Sequence, residues 1–433
     1  MDLLSAAPTT LKPNSPNALA TLVSMTDKLT VPTPKSRRSI SGPLSTSFEL
    51  REMPLPSATA APVPIKAILH DDPKKRKSSK KEGIKSVALF SHLSQYAEGV
   101  RTASNIHPAV VKFALRSAQY SNLGGSRRCR EMLLALKEAI KDYRMNPEMA
   151  VCRHLDLYLK PMIGYMVDAR PMAVTMANAV RTLRHNISIL PVETAEHEAQ
   201  QTVQEFIDNI ITNRLDLAGQ LIVHHGLCKI ADGDVILTYA RSVVVRNLLV
   251  AAHEAGRKFK VIVVDARPFK EGRILLGELV ASGLHCTYVH VNAIGYMMRE
   301  VTKTIVGAAA LYANGTVLSR VGTAAVCTLS RQHNVPVIVC CETLKFSERS
   351  QIDSFVYNEI GDPDALVRTH HPASKVTLSA WRDVEPLKLL NILYDVTPAE
   401  YVTVVITEIG LIPVTSIPVV LREYSTNSHS VVN

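Results

Sequence analysis

The chain has no C-x-x-C spacing, no apolar run long enough to cross a membrane and no G-x-x-x-x-G-K-[ST] loop. It also has no apolar core behind a basic N-terminal stretch. Each absence excludes something. Without paired spacings, Cys129, Cys152, Cys228, Cys286, Cys327, Cys340 and Cys341 read as reduced core thiols of a cytosolic protein. Adjacent Cys340 and Cys341 close an apolar run, where small buried thiols are common. The most apolar late stretch, 401–421, contains Glu408, Pro413 and Pro418. A bilayer span needs about 20 nearly uninterrupted apolar residues, so this stretch reads as buried sheet. No signal peptide is apparent, and a soluble, cytosolic chain without a membrane partner is expected. The missing phosphate loop makes direct nucleotide binding unexpected. No metal or cofactor is expected either.

What is present divides into three parts, with boundaries expected at 1–86, 87–228 and 229–433. The first 88 residues hold 11 of the 24 prolines, with 14 basic against 7 acidic side chains. The remainder carries 35 basic and 32 acidic side chains. The high pI therefore belongs to a disordered Pro/Ser-rich tail. A nearly balanced body argues against a groove for specific nucleic acid. The tail ends in Lys74-Lys75-Arg76-Lys77-Ser78-Ser79-Lys80-Lys81. That run fits a solvated tether with weak RNA or ribosome affinity, since like charges keep a chain extended. A nuclear address stays open beside it.

From residue 87 the period is helical. Pro108 stands where a first helical turn tolerates proline, followed by Val111, Ala114 and Leu115. Leu133, Leu136, Ile140 and Tyr143 make an amphipathic stripe. Val203, Phe206, Ile207, Ile210, Leu217 and Leu221 mark one longer helix. At Asp232-Gly233 the pattern changes to short β-branched runs alternating with helices. Strands are expected at 235–239, 261–264, 285–291, 304–306, 337–340, 390–393 and 402–407. Helices at 243–255 and 274–282 end at Gly256 and Gly283. The expected class is α/β: a helical bundle followed by a doubly wound, Rossmann-like parallel sheet. Ligands of such sheets sit beyond the carboxyl ends of the strands.

Those strand ends carry a resemblance. Asp265-Ala266-Arg267-Pro268, Glu271-Gly272-Arg273 and Glu278-Leu279 resemble the E-T-R-P…Q-G-x-R…E-L signature of methylthioribose-phosphate and ribose-bisphosphate isomerases. Val306-Gly307-Ala308-Ala309-Ala310, Ala313-Asn314-Gly315 and Val321-Gly322-Thr323 are similar to their V-G-A-D-R-I-x-A-N-G…I-G-T. In that family an aspartate and a cysteine move a proton along the sugar. The resemblance puts Ala309 at the aspartate, Ala310 at its arginine and Ala240 at the cysteine. Asp265 stands for glutamate, Glu271 for glutamine, and Arg273 comes one place early. A methyl group neither carries nor binds a proton, and each such group contributes about 10²–10⁴-fold to a rate. Arg267, Arg273 and the Gly322-Thr323 helix start remain candidates for a vestigial anion pocket. The bland alternative pairs those arginines with Asp265, Glu278 or Glu342.

Other phrases are similar to the non-catalytic members of the superfamily. These are the alpha, beta and delta regulatory subunits of the guanine-nucleotide exchange factor for translation initiation factor 2, the delta type above all. Val87-Ala88-Leu89-Phe90-Ser91-His92-Leu93-Ser94-Gln95-Tyr96, Ile106-His107-Pro108-Ala109 and Arg170-Pro171 carry the likeness. So do Ile236-Leu237-Thr238-Tyr239-Ala240-Arg241-Ser242 and Cys340-Cys341-Glu342-Thr343-Leu344-Lys345-Phe346. The resemblance spans about residues 87–424. It implies a regulatory subunit that pairs with beta, assembles with alpha, gamma and epsilon, and meets initiation factor 2, especially its phosphorylated alpha subunit. Exchange catalysis would reside in another chain. Val87, Leu89 and Phe90 are candidates either for a docking strap or for a first core segment. Arg181, Arg184 and His185, at i, i+3 and i+4, are candidates for phosphate recognition or a solvated basic face. The opposing reading is an isomerase using His224, His225, Tyr239, Cys341 or Glu342 in place of the lost pair. Between the two lies a sugar-phosphate-sensing protein.

Overall fold

A computed structural model describes residues 85–94, 105–145, 148–367, 378 and 380–430. Apart from Lys85 and Ser86, the expected tail and its basic run lie outside them, as do Gln95 and Tyr96. Helices come first: α1 (Pro108–Ala118), α2 (Gly125–Lys141), α3 (Val151–Ala169), α4 (Val174–Ser188), α5 (Glu196–Asn209) and α6 (Ala218–Leu227). His107 caps α1 by accepting the Ala109 N–H at Nδ1, 3.2 Å away, while its Nε2 lies 3.0 Å from Asp142. The α2 stripe of Leu133, Leu136 and Ile140 is buried against Leu155 and Leu159 of α3 and Leu183 and Ile187 of α4. One helix was expected over 203–221. Instead Ile210–Leu217 continues α5 into α6 as a π-helix.

The α/β half runs β1 (Val235–Tyr239), α7 (Val243–Glu254), β2 (Lys260–Asp265), α8 (Glu271–Ala281), β3 (His285–His290), α9 (Ile294–Met297) and β4 (Lys303–Gly307). It continues with β5 (Ala310–Tyr312), β6 (Val317–Arg320), α10 (Thr323–Gln332), β7 (Val337–Cys340), β8 (Phe346–Ser347) and α11 (Asp364–Val367). The last elements are β9 (Tyr394–Thr397), β10 (Val404–Thr407), β11 (Gly410–Ile412) and α12 (Ile417–Ser430). Gly256 and Gly283 adopt φ of +82° and +84° beyond α7 and α8, the left-handed conformation that ends a helix without a Cβ penalty.

Among the described residues, seven strands form one sheet in the order β11-β10-β7-β4-β1-β2-β3. All neighbours pair in parallel except the β10–β11 hairpin. Successive side chains alternate between two cores, as the strand period of two requires. Ile236, Val261, Val263, Ile305, Ile338 and Ile406 face α6, α7 and α8. Leu237, Ile262, Val264, Val306, Val339 and Val405 face α10 and α12. The expected doubly wound class is borne out.

Three details depart from expectation. The strand expected at 390–393 falls instead at β9, where it joins a second sheet of order β8-β5-β6-β9. These four strands are two to four residues long, too short to show a period. The late apolar stretch is only partly sheet, because α12 begins at Ile417. The cysteines are unbridged, but Cys228 is exposed and Cys152 and Cys286 are half-buried. No helix among the described residues is long and apolar enough to cross a membrane.

The helical half is bolted to the sheet by a few polar contacts. Asn178 of α4 donates to the carbonyls of Leu344 and Phe346 at 2.9 and 2.8 Å. Leu344 itself packs into the helical core. Asn178→Ala leaves both carbonyls without that donor and lowers the unfolding free energy by about 1–3 kcal/mol, measurable by urea denaturation.

Candidate functional site

The sheet diverges between β1 and β4. From β1 the chain builds outward to β2 and β3, and from β4 to β7 and β10. This switch point is where a doubly wound sheet leaves a crevice beyond its strand ends. A cavity of about 480 Å³ occupies it, with Ala240, Ala308 and Ala309 on one side and the start of α2 at Gly125 and Ser126 on another. Ala240 is buried at φ 54°, a left-handed conformation uncommon for a residue with a side chain. Its N–H donates to Val264 O at 3.0 Å. The Ala309 N–H donates to Leu318 O at 2.8 Å. Gly307 must be glycine, since a Cβ there would stand 2.4 Å from Ser242 Oγ, at the N-cap of α7.

The cations bordering the cavity decide what it can bind. Arg127 is 3.1 Å from Glu131, and Arg130 is bonded to Asp216. Arg241 makes a two-pronged contact with Glu278 at 2.6 and 3.2 Å. Arg320 does the same with Glu271 at 2.7 and 3.2 Å. Lys345 lies 2.6 Å from Glu342. Every one of these cations has a carboxylate from its own chain. The exposed pairs contribute little, but Arg320–Glu271 and Lys345–Glu342 are withdrawn from solvent. Burial pushes Glu342 up, yet Lys345 and the Ser126 hydroxyl, 3.1 Å away, outweigh it and hold the carboxyl below its ordinary value. Glu271, which stands where the isomerases have glutamine, has its charge taken up by Arg320.

The residues named from sequence separate here. Ala240, Ala309 and Thr323 border the cavity; Arg267 and Arg273 are exposed and do not. At the Gly322-Thr323 helix start, a candidate for an anion, the Gly322 and Ala324 N–H groups donate to Asp395 at 2.6 and 2.9 Å. Among the described residues Asp265 forms no ion pair with an arginine. It accepts the N–H groups of Ala266, Gly272 and Arg273 and the Tyr288 hydroxyl. Tyr239 and Glu342 border the cavity, but His224 and His225 do not. Cys341 is buried, and burial drives its thiol well above the ordinary value.

Phe90 is 5% exposed and packs 5.6 Å from the Phe355 ring, whereas Leu89 is 57% exposed and Val87 half-buried. Arg184 is held by Asp156 at 2.6 and 2.9 Å; Arg181 and His185 are exposed. The α2 start and its Arg127 and Arg130 escaped the sequence reading. Gly124-Gly125 ahead of an amphipathic stripe was the available signal. Among the described residues no group of His, Cys, Asp or Glu fits a metal ion.

Comparison with known proteins agrees with this arrangement. A match to the Initiation factor 2 subunit family extends over residues 121–414. Translation initiation factor eIF2B subunit delta of Schizosaccharomyces pombe is 42% identical over 347 residues, 78% of this chain and 74% of that protein. Ribose 1,5-bisphosphate isomerase of Pyrococcus furiosus is 31% identical over 288 residues, 65% of this chain and 85% of the enzyme. A chain in the crystal structure of the tetrameric eIF2B-beta2-delta2 complex from C. thermophilum superposes with a TM-score of 0.68. The two share 30% identity over 76% of this chain and all of that one. Fold and cleft thus define an isomerase-like α/β scaffold. The chain belongs to the initiation factor 2 subunit family, and its likeness to the delta-type regulatory subunits is borne out.

Asp395 carries a pH dependence. Burial raises its carboxyl to about 7, against the lowering effect of the Ala324 and Gly322 N–H groups. A carboxyl raised on folding favours the folded state when protonated. Its contribution is complete below the unfolded value and fades as pH rises through about 7. Urea midpoints should therefore fall as pH rises from about 4, the ordinary Asp value, to about 7, and Asp395→Asn should flatten that decline.

Proposed function

We propose that the chain is a non-catalytic, delta-type regulatory subunit of the exchange factor for translation initiation factor 2, working in the cytosol. The observation that carries this reading is the pair of methyl groups at Ala240 and Ala309, in a cavity whose bordering cations are already neutralised. With methyl groups where the family's acid/base pair stands, and with every bordering cation paired to a carboxylate, the switch point has the shape of an active site without that proton-transfer pair. GDP/GTP exchange then belongs to a partner chain. The helical domain, residues 87–228, and the Rossmann-like domain, 229–433, serve as surfaces for other proteins.

The α/β half supplies the contact with a beta-type chain. Tyr296 on α9, just beyond edge strand β3, is 85% exposed, which supports a pairing face there. Alpha, gamma and epsilon chains complete the assembly. The helical half faces initiation factor 2 and senses phosphorylation of its alpha subunit, with Arg181 as the candidate phosphate contact because Arg184 is committed to Asp156. A partner that prefers one conformation of the assembly shifts it by that preference and no further.

Purification from native cells should recover a beta-type chain in equal amount, and Tyr296→Glu should reduce that recovery several-fold while the variant keeps its melting temperature. The isolated chain should convert neither ribose 1,5-bisphosphate nor methylthioribose phosphate. A ligand at about 100 Kd adds roughly 2.7 kcal/mol of stability, so unchanged unfolding in high sugar phosphate removes the sensing alternative. Conversion by an unassociated monomer would overturn the proposal.

A further inference from the structure

Behind the cavity wall formed by Arg320, three arginines and two glutamates are packed together. Arg128 and Arg170 are 1% and 3% exposed, and they share Glu359, itself 5% exposed. Arg170 Nε donates to one carboxylate oxygen, and Arg128 Nη1 stands 3.8 Å from the other. Arg320, held by Glu271, is close enough to feel the charge of Glu359. Arg320 is matched by Glu271, whereas Arg128 and Arg170, two positive charges, share the single carboxylate of Glu359. Tyr120 lies under Arg170, 4.2 Å from guanidinium to ring centre, and Tyr394 lies 5.2 Å from Arg320, but neither ring supplies the missing negative charge.

The hydrogen-bond count shows the same deficit. Arg128 Nη2 donates to Pro171 O at 2.7 Å. Arg128 Nε and Nη1, Arg170 Nη1 and Nη2, and Arg320 Nη1 are buried without an acceptor. Burial, together with the neighbouring Arg170, pulls the Arg128 guanidinium below its ordinary value. Buried donors in folded proteins are almost always satisfied, and a buried charge left uncompensated is costly. Water would serve the donors but not the charge.

We propose that this cluster binds one small monovalent anion of the halide type, held by the free N–H groups of Arg128 and Arg170 alongside Glu359. One negative charge balances the group, and a second would leave it negative. Depth below the surface selects a small ion over a phosphate. Because Arg128 and Arg170 come from the helical half and Glu359 from the α/β half, the ion cements the junction. Its occupancy is independent of whether the cavity above binds anything.

The full-length chain tests this in two ways. Thermal unfolding in potassium chloride and in potassium gluconate, at equal ionic strength and pH, should show a saturable rise in melting temperature with chloride alone. Crystals grown in bromide should show an anomalous peak between Arg128 and Arg170. Glu359→Gln raises the net positive charge and should steepen the chloride dependence, whereas Arg128→Met removes the excess and should abolish it. Equal melting in both salts with water in place of bromide would overturn the proposal, as would a folded Glu359→Gln variant indifferent to chloride. If neither variant folds, the bromide map of the unaltered chain decides.

Discussion

The buried pair of Glu342 and Lys345 is the fastening on which the molecule depends. Glu342 stands two residues beyond β7, receives the Ser126 hydroxyl from α2, and is bound by Lys345 three residues on. The turn between them sends Leu344 into the helical core, and the carbonyls of Leu344 and of Phe346 just beyond it accept from Asn178. Glu408, after β10, seals the same turn by accepting the Thr343 N–H at 3.0 Å. Sheet, bundle and second sheet therefore meet at one short turn. Removing either charge of such a pair costs more than the pair contributes, because the survivor is left buried alone.

That fastening also explains how a ligand site becomes a structural part. In an enzyme of this architecture the strand ends and helix starts would be kept available for a substrate. Here carboxylates of the chain itself have taken those positions: Asp395 at the start of α10, Glu271 on Arg320, Asp216 on Arg130. Each contact satisfies a group that an incoming anion would have satisfied. The crevice keeps its shape because internal ligands hold it.

The main sheet was legible because its strands obey a simple alternation. Ile236 and Leu237, or Val263 and Val264, go to opposite cores, and nothing tertiary is needed to see it. The second sheet was not legible, since a two-residue strand such as β8 has no period to read. Within the site, Ala240 and Ala309 were readable through the resemblance to the isomerase motifs. The pairing of Arg320 with Glu271, 49 residues away, was not. Arg267 and Arg273 stand outside the main cavity, since motif proximity says which loop a residue is on and not which way it points. Asp395 lay beyond reach because its role arises only when β9 is brought against α10.

The π-helical stretch at Ile210–Leu217 has its own consequence for the history of the chain. A wide turn accommodates one residue more than α winding, so the stretch marks an extra residue absorbed without breaking the rod. Take that residue away and α5 would flow into α6 with ordinary winding, but everything downstream would rotate by about 100°. Asp216 would then swing away from Arg130, and Ile222, now buried beside the sheet, would turn outward. Length at this point is therefore fixed by rotation. The rod tolerates substitutions along its outer side far more readily than the gain or loss of a single position.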